Sequence, residues 1–150
     1  MTITRRTPMA PTTRDLARRS GYVVAIAVNV VMLYVVNNLL AWDILPFLTS
    51  DFGRVLWLID ISLLATIVVN FIYVAYDQSW FRALTQVGLN LISLVVAVRM
   101  YQVFPFDFSG SGFDWTQIAR VVIIFTILGT AIGAVVEAVK LARAAANLRL

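Results

Sequence analysis

The stretch TQIARVVIIFTILGTAIGAVVEAVK, residues 116–140, decides the fold. Between Arg120 and Glu137 it holds no charged side chain. At a rise of about 1.5 Å per residue, a helix of this length exceeds the roughly 30 Å of a bilayer's hydrocarbon core. Three more runs of this kind precede it, at about residues 21–40, 54–76 and 81–101. Short connections between successive spans favour antiparallel neighbours. The pattern therefore predicts an all-α integral membrane protein, a four-helix up-down-up-down bundle over residues 21–150.

Composition supports this reading. The 150 residues are 61% hydrophobic and 13% charged, with a mean hydropathy of +0.86. Soluble domains are roughly 45–50% apolar and about 25% charged, so too few charges exist here to cover a water-facing surface. Cysteine and histidine are both absent. That excludes disulfides, thiolate chemistry, imidazole-bound zinc or haem, and every Ser-His or Cys-His couple. No cofactor, no metal and no enzymatic activity are expected, and nothing points to nucleic acid.

Turn chemistry marks the ends of the spans. Ser50 or Thr49 is expected to cap the second helix and Ser79 the third. Asp114, with Gln117 three residues on, reads as the start of the fourth. Pro46 and Pro105 each follow an odd-numbered span, where a missing N–H costs nothing. The two halves also align weakly. Asn29 falls on Asn90 and Pro46-Phe47 on Pro105-Phe106, a pattern that would make the bundle two repeated helical hairpins.

The cations set the expected orientation. Arg5, Arg6, Arg14, Arg18 and Arg19 precede the first span, Arg82 follows the second, and Lys140, Arg143 and Arg149 end the chain. The other two connections carry Asp43, Asp51, Asp107 and Asp114 with no Lys or Arg. Positive-inside then places both termini and the middle turn in the cytoplasm. Residues 1–20 read as an Arg-rich cytoplasmic tail able to attract anionic lipid. Arg supplies all but one of the 12 cations, which suggests a GC-rich bacterial genome and a bacterial inner membrane.

Intramembrane polar groups are the handle on mechanism, because burial in hydrocarbon costs energy unless a partner is found. Asp60, Arg99 and Arg120 fall at similar outer depths, so an ion pair of Asp60 with Arg120 or Arg99 is expected. Asn29, Asn70 and Asn90 fall at similar inner depths. Gln86, Asn90, Ser93 and Ala97 form one stripe on the third span, and Thr130 matches Asn70 in the repeat alignment. Interhelical hydrogen bonds are the ordinary use of such a layer. Gly129 and Gly133 form a GxxxG pattern for close helix approach, within the bundle or with another subunit. Glu137 lies one turn deeper and is expected to meet Arg18, Arg19 or water.

In size and topology the chain resembles several groups of small four-span bacterial proteins, but the chemistry each group requires is missing. Small multidrug transporters use a glutamate in the middle of the first span, where this chain has only Asn29, Asn37 and Asn38. The last helix of a voltage-sensing domain bears regularly spaced arginines, whereas Arg120 stands alone here. Vitamin K epoxide reductase-like proteins need cysteines. The expected function is therefore a non-enzymatic membrane protein acting through helix–helix contacts, as an oligomer or an accessory subunit of a membrane complex. The alternative is a small transporter or channel using the outer Asp/Arg cluster and the inner Asn layer.

Overall fold

The computed structural model describes residues 12–147, and four long helices make up most of it: α1 (Thr13–Trp42), α2 (Gly53–Ala75), α3 (Ser79–Val103) and α4 (Thr116–Asn147). All four are long and apolar enough to cross a membrane. No strand occurs among the described residues.

Helix α1 begins well before residue 21. Thr12 and Asp15 close a reciprocal cap: Asp15 N–H donates to Thr12 Oγ1 and Thr12 N–H to the Asp15 carboxylate, both at 3.3 Å. Residues 13–20 of the expected tail are thus the first turns of α1. Hydropathy marks where the apolar run begins, whereas the cap marks where the helix begins. Arg5 and Arg6 lie outside the described residues. At the other end α4 continues past Lys140 to Asn147.

The expected caps of α2 and α3 are replaced by other arrangements. A short 3-10 turn, Ser50–Phe52, leads into α2, and neither Thr49 nor Ser50 bonds the helix N-terminus through its side chain. The backbone of Thr49 is instead committed to the neighbouring connection, and its Oγ1 is buried without a partner. Ser79 is the first residue of α3, and Gln78 precedes it without a side-chain cap. Asp114 does serve α4, accepting from Thr116 N–H at 2.9 Å.

The helices pack in chain order. α1 lies on α2, α2 on α3, and α3 most extensively on α4. Small residues let α3 and α4 approach, with Ala97 and Ala134 buried between them. A Cβ placed on Gly133 would stand 3.3 Å from Asn90 Nδ2. α1 and α4 form no packed pair. Between them opens a cleft of about 870 Å³, reaching from Tyr22 of α1 across α3 to Glu137 and Lys140 of α4. The row of helices is therefore open along one seam.

Remote from that cleft, the α1–α2 and α3–α4 connections join. Leu48 and Phe106 form an antiparallel bridge, Thr49 N–H donates to Pro105 O at 2.9 Å, and Asp107 N–H donates to Phe47 O at 2.7 Å. Both preceding helices end on a residue with positive φ, Asp43 at 50° and Phe104 at 42°. This left-handed ending is common at helix C-termini but strains a side chain as large as phenylalanine. Phe52, Val55 and Pro105, in or next to these connections, are the most fully buried of the described residues.

Candidate functional site

The three outer charges do not assemble. Asp60 accepts from Asn37 Nδ2 at 2.7 Å, a contact from α2 to α1. Arg99 donates to Gln102 on its own helix at 3.3 Å. The Arg120 guanidinium lies 4.4 Å from the Phe104 ring centroid and 5.7 Å from that of Tyr101. Among the described residues none of the three enters an ion pair, so the expected Asp60 pairing is corrected. The reason is the facing of the side chains rather than depth: Asp60 turns toward α1, while α4, which carries Arg120, packs chiefly on α3. A cation–π contact satisfies Arg120 in its place.

Asn37 also donates to Leu33 O at 2.9 Å, so its amide bridges a backbone carbonyl and the Asp60 carboxylate. We expect the double-mutant cycle of Asp60→Ala with Asn37→Ala to give a coupling of about 0.6 kcal/mol, the average for interhelical hydrogen bonds in a membrane protein, and no more than about 1.7 kcal/mol. The same cycle with Arg120→Ala should be additive. Thermal unfolding in detergent measures both, and coupling to Arg120 instead of Asn37 would overturn the assignment.

The inner layer divides into three. Asn29 and Asn70 donate to their own helices, to Ala25 O at 2.7 Å and Thr66 O at 2.8 Å. Gln86 and Asn90 line the large cleft, together with Gly129, Gly133 and Glu137. Ser93 and Thr130 line a separate cavity of about 330 Å³ among α2, α3 and α4, and Thr130 Oγ1 donates to Thr126 O at 2.7 Å. Similar depth along four spans does not put the amides on facing sides of their helices.

Glu137 accepts from Lys140 Nζ at 2.6 Å, one turn along α4. The expected contact with Arg18 is replaced, because Arg18 is drawn to the turn between α2 and α3. There Asp77 gathers three partners: Arg18 Nη1 at 3.1 Å on one oxygen, and Arg82 Nε at 3.2 Å and the Tyr22 hydroxyl at 3.1 Å on the other. Tyr22 packs on Tyr73 with ring centroids 5.2 Å apart, and the Tyr73 and Thr85 hydroxyls hydrogen-bond each other. This clasp ties α1, α2 and α3 at one end and forms one wall of the cleft. Sequence reasoning used Arg82 only for orientation and missed the clasp. The available signal was an acid in a turn otherwise bordered by cations.

The joined loops at the opposite end border an open-sided apolar cavity of about 690 Å³. Phe47, Phe108, Trp115 and Ile118 form its walls, and Asp107, Ser109 and Ser111 its polar edge. Phe47 and Phe108 stack with centroids 5.2 Å apart. An adjoining cleft of about 340 Å³ shares Asp107 and adds Asp114. The Ser109 backbone N–H and hydroxyl hold the Asp107 carboxyl below the usual carboxylate range. The Thr116 side chain and backbone N–H do the same for Asp114. Both are ionised at neutral pH. From sequence these acids are more simply solvated turn and cap residues than a site, able together to attract a divalent cation or a basic partner.

Among the described residues no group of three or more Asp or Glu side chains is placed to hold a metal ion. No family model, curated protein or solved structure matches the chain.

Proposed function

We propose that the protein is a small non-enzymatic integral membrane protein that works through helix–helix contacts, as an oligomer or as an accessory subunit of a larger complex. Its four helices would cross a bacterial inner membrane in up-down-up-down order, with both termini and the 76–78 turn in the cytoplasm. The observation that carries this reading is the open seam between α1 and α4. A closed bundle would pair these two helices. Here α4 packs chiefly on α3 and leaves Phe125, Ile132 and Val135 more than 60% exposed. Gly129 faces open space beside them, so a second backbone can approach.

The transport alternative is less well supported. It calls for one polar path between the outer charges and the inner amides, whereas Asp60, Arg99 and Arg120 line neither the large cleft nor the cavity at Ser93.

The contact reading is tested by placing a benzophenone amino acid at Ile132 or Val136 on the seam, and at Phe71 on α2 as a control. Irradiation of native membranes should give a discrete adduct, with a second copy or a partner, from the seam positions only. Monomer alone at every position, or equal adducts from Phe71, would sink the proposal. Orientation is tested separately, because the cysteine-free chain accepts single reporters cleanly. An impermeant maleimide should label Ser109→Cys in intact cells and Gln78→Cys only after permeabilisation.

A further inference from the structure

We propose that the cavity between the two joined loops binds a small organic cation, its apolar body seated among Phe47, Phe108 and Trp115 and its cationic group held by Asp107. This inference stands on the loop geometry and is independent of the helix-contact reading.

A volume of about 690 Å³ lies within the range of small-molecule sites, which are concave, largely apolar and supplied with a few convergent polar groups. Three aromatic side chains dominate the wall, and aromatic faces attract cations. Asp107 is fixed relative to that wall. Its own N–H donates to Phe47 O at 2.7 Å, and its Oδ1 accepts from Ser109 N–H at 2.9 Å. Among the described residues the Asp107 carboxylate bonds only its neighbour Ser109 and pairs with no cation, so its charge remains available to a ligand.

Charge selects the sign of the ligand. Residues 43–53 and 104–115, which build this end of the molecule, contain Asp43, Asp51, Asp107 and Asp114 and no Lys or Arg. Arg54, the next residue, is paired with Asp51 at 3.7 Å and lines neither loop cavity. The nearby guanidinium of Arg120 lies over the rings of Phe104 and Tyr101 and lines neither loop cavity. An anion would meet only acids at the rim. A neutral aromatic would gain the wall but leave the Asp107 carboxylate unused.

The test compares two water-soluble probes of equal aromatic size, benzyltrimethylammonium and benzylsulfonate. Each is titrated calorimetrically into the full chain in a neutral detergent. The ammonium should bind saturably and at least about tenfold more tightly than the sulfonate, as a cation–π contact plus a carboxylate predicts. Asp107→Asn should weaken the ammonium about tenfold, and Trp115→Leu should weaken it several-fold. Asp43→Asn makes the same change in net charge on a residue that does not line the cavity, and it should leave affinity within about twofold. Circular dichroism verifies that each variant folds. Should Trp115→Leu not fold, Asp107→Asn decides alone, since asparagine keeps both the backbone bond to Phe47 and an oxygen to accept from Ser109 N–H. No saturable heat from the ammonium, equal binding of the two probes, or equal losses from Asp43→Asn and Asp107→Asn would each overturn the proposal.

Discussion

Asp77→Ala is expected to lower the melting temperature of the detergent-solubilised protein by several degrees, more than any other single removal of an acid. Asp77 is the common acceptor for Arg18, Arg82 and Tyr22, which come from α1 and α3. Hydrogen bonds to charged groups contribute about 1.5–3 kcal/mol when buried. Here the side chains of Asp77, Arg82 and Arg18 are 21%, 37% and 42% exposed, so solvent screens part of that energy. A net loss of about 1–2 kcal/mol remains, and each kcal/mol shifts the midpoint of a chain this size by roughly 2–4 °C. Asp77→Asn should cost less, because it keeps an acceptor while losing the charge. Arg82→Ala added to Asp77→Ala should recover part of the loss by removing a stranded guanidinium. If Asp77→Ala melts like the wild type, the clasp does not hold α1 and α3 to the turn.

The second large effect concerns the two glycines of the GxxxG pattern, which are alike in sequence and opposite in setting. Gly133→Leu should destabilise the protein by about 1–3 kcal/mol, the usual cost of overpacking a close contact. The first added carbon already meets the Asn90 amide at 3.3 Å, and a leucine would drive α4 away from α3. Gly129→Leu should stay within about 0.5 kcal/mol, since a side chain there meets nothing within 4 Å. Asn90→Ala in the Gly133→Leu background should restore part of the stability by making room. Thermal unfolding of the three variants measures this, and equal melting of Gly129→Leu and Gly133→Leu would refute the assignment. The pair also separates two roles that a motif alone cannot distinguish: Gly133 serves the α3–α4 contact inside the chain, while Gly129 lies open along the unpaired side of α4.

The repeat alignment illustrates how far one-dimensional reading reaches. Matching Pro46-Phe47 to Pro105-Phe106 singled out two loops with similar residues after the odd-numbered helices. The structure brings these same loops together, with Leu48 bridged to Phe106 and Phe47 stacked on Phe108. Both helices ahead of them also end on a left-handed residue. What the alignment could not contain is the cavity this pairing borders. It depends on Trp115 and Ile118 from the start of α4, which have no part in the match.

By itself the sequence determined the number of helices, the ends of α2 and α3 to within two residues, and their apolar character. These follow from hydropathy run length against bilayer thickness, a property each segment carries without reference to the others. Asp114 at the start of α4 was legible for the same reason, because that cap is local. Only the tertiary structure decided partners. Depth along a span can be read by counting residues, but the direction a side chain faces depends on helix rotation and on which helices are neighbours. Hence Asp60 found Asn37 rather than Arg120, Glu137 found Lys140 rather than Arg18, and Asn29 and Asn70 bonded their own helices. The absence of an α1–α4 pairing, which leaves the seam open, is likewise a property of packing among all four helices, and no single stretch of the chain encodes it.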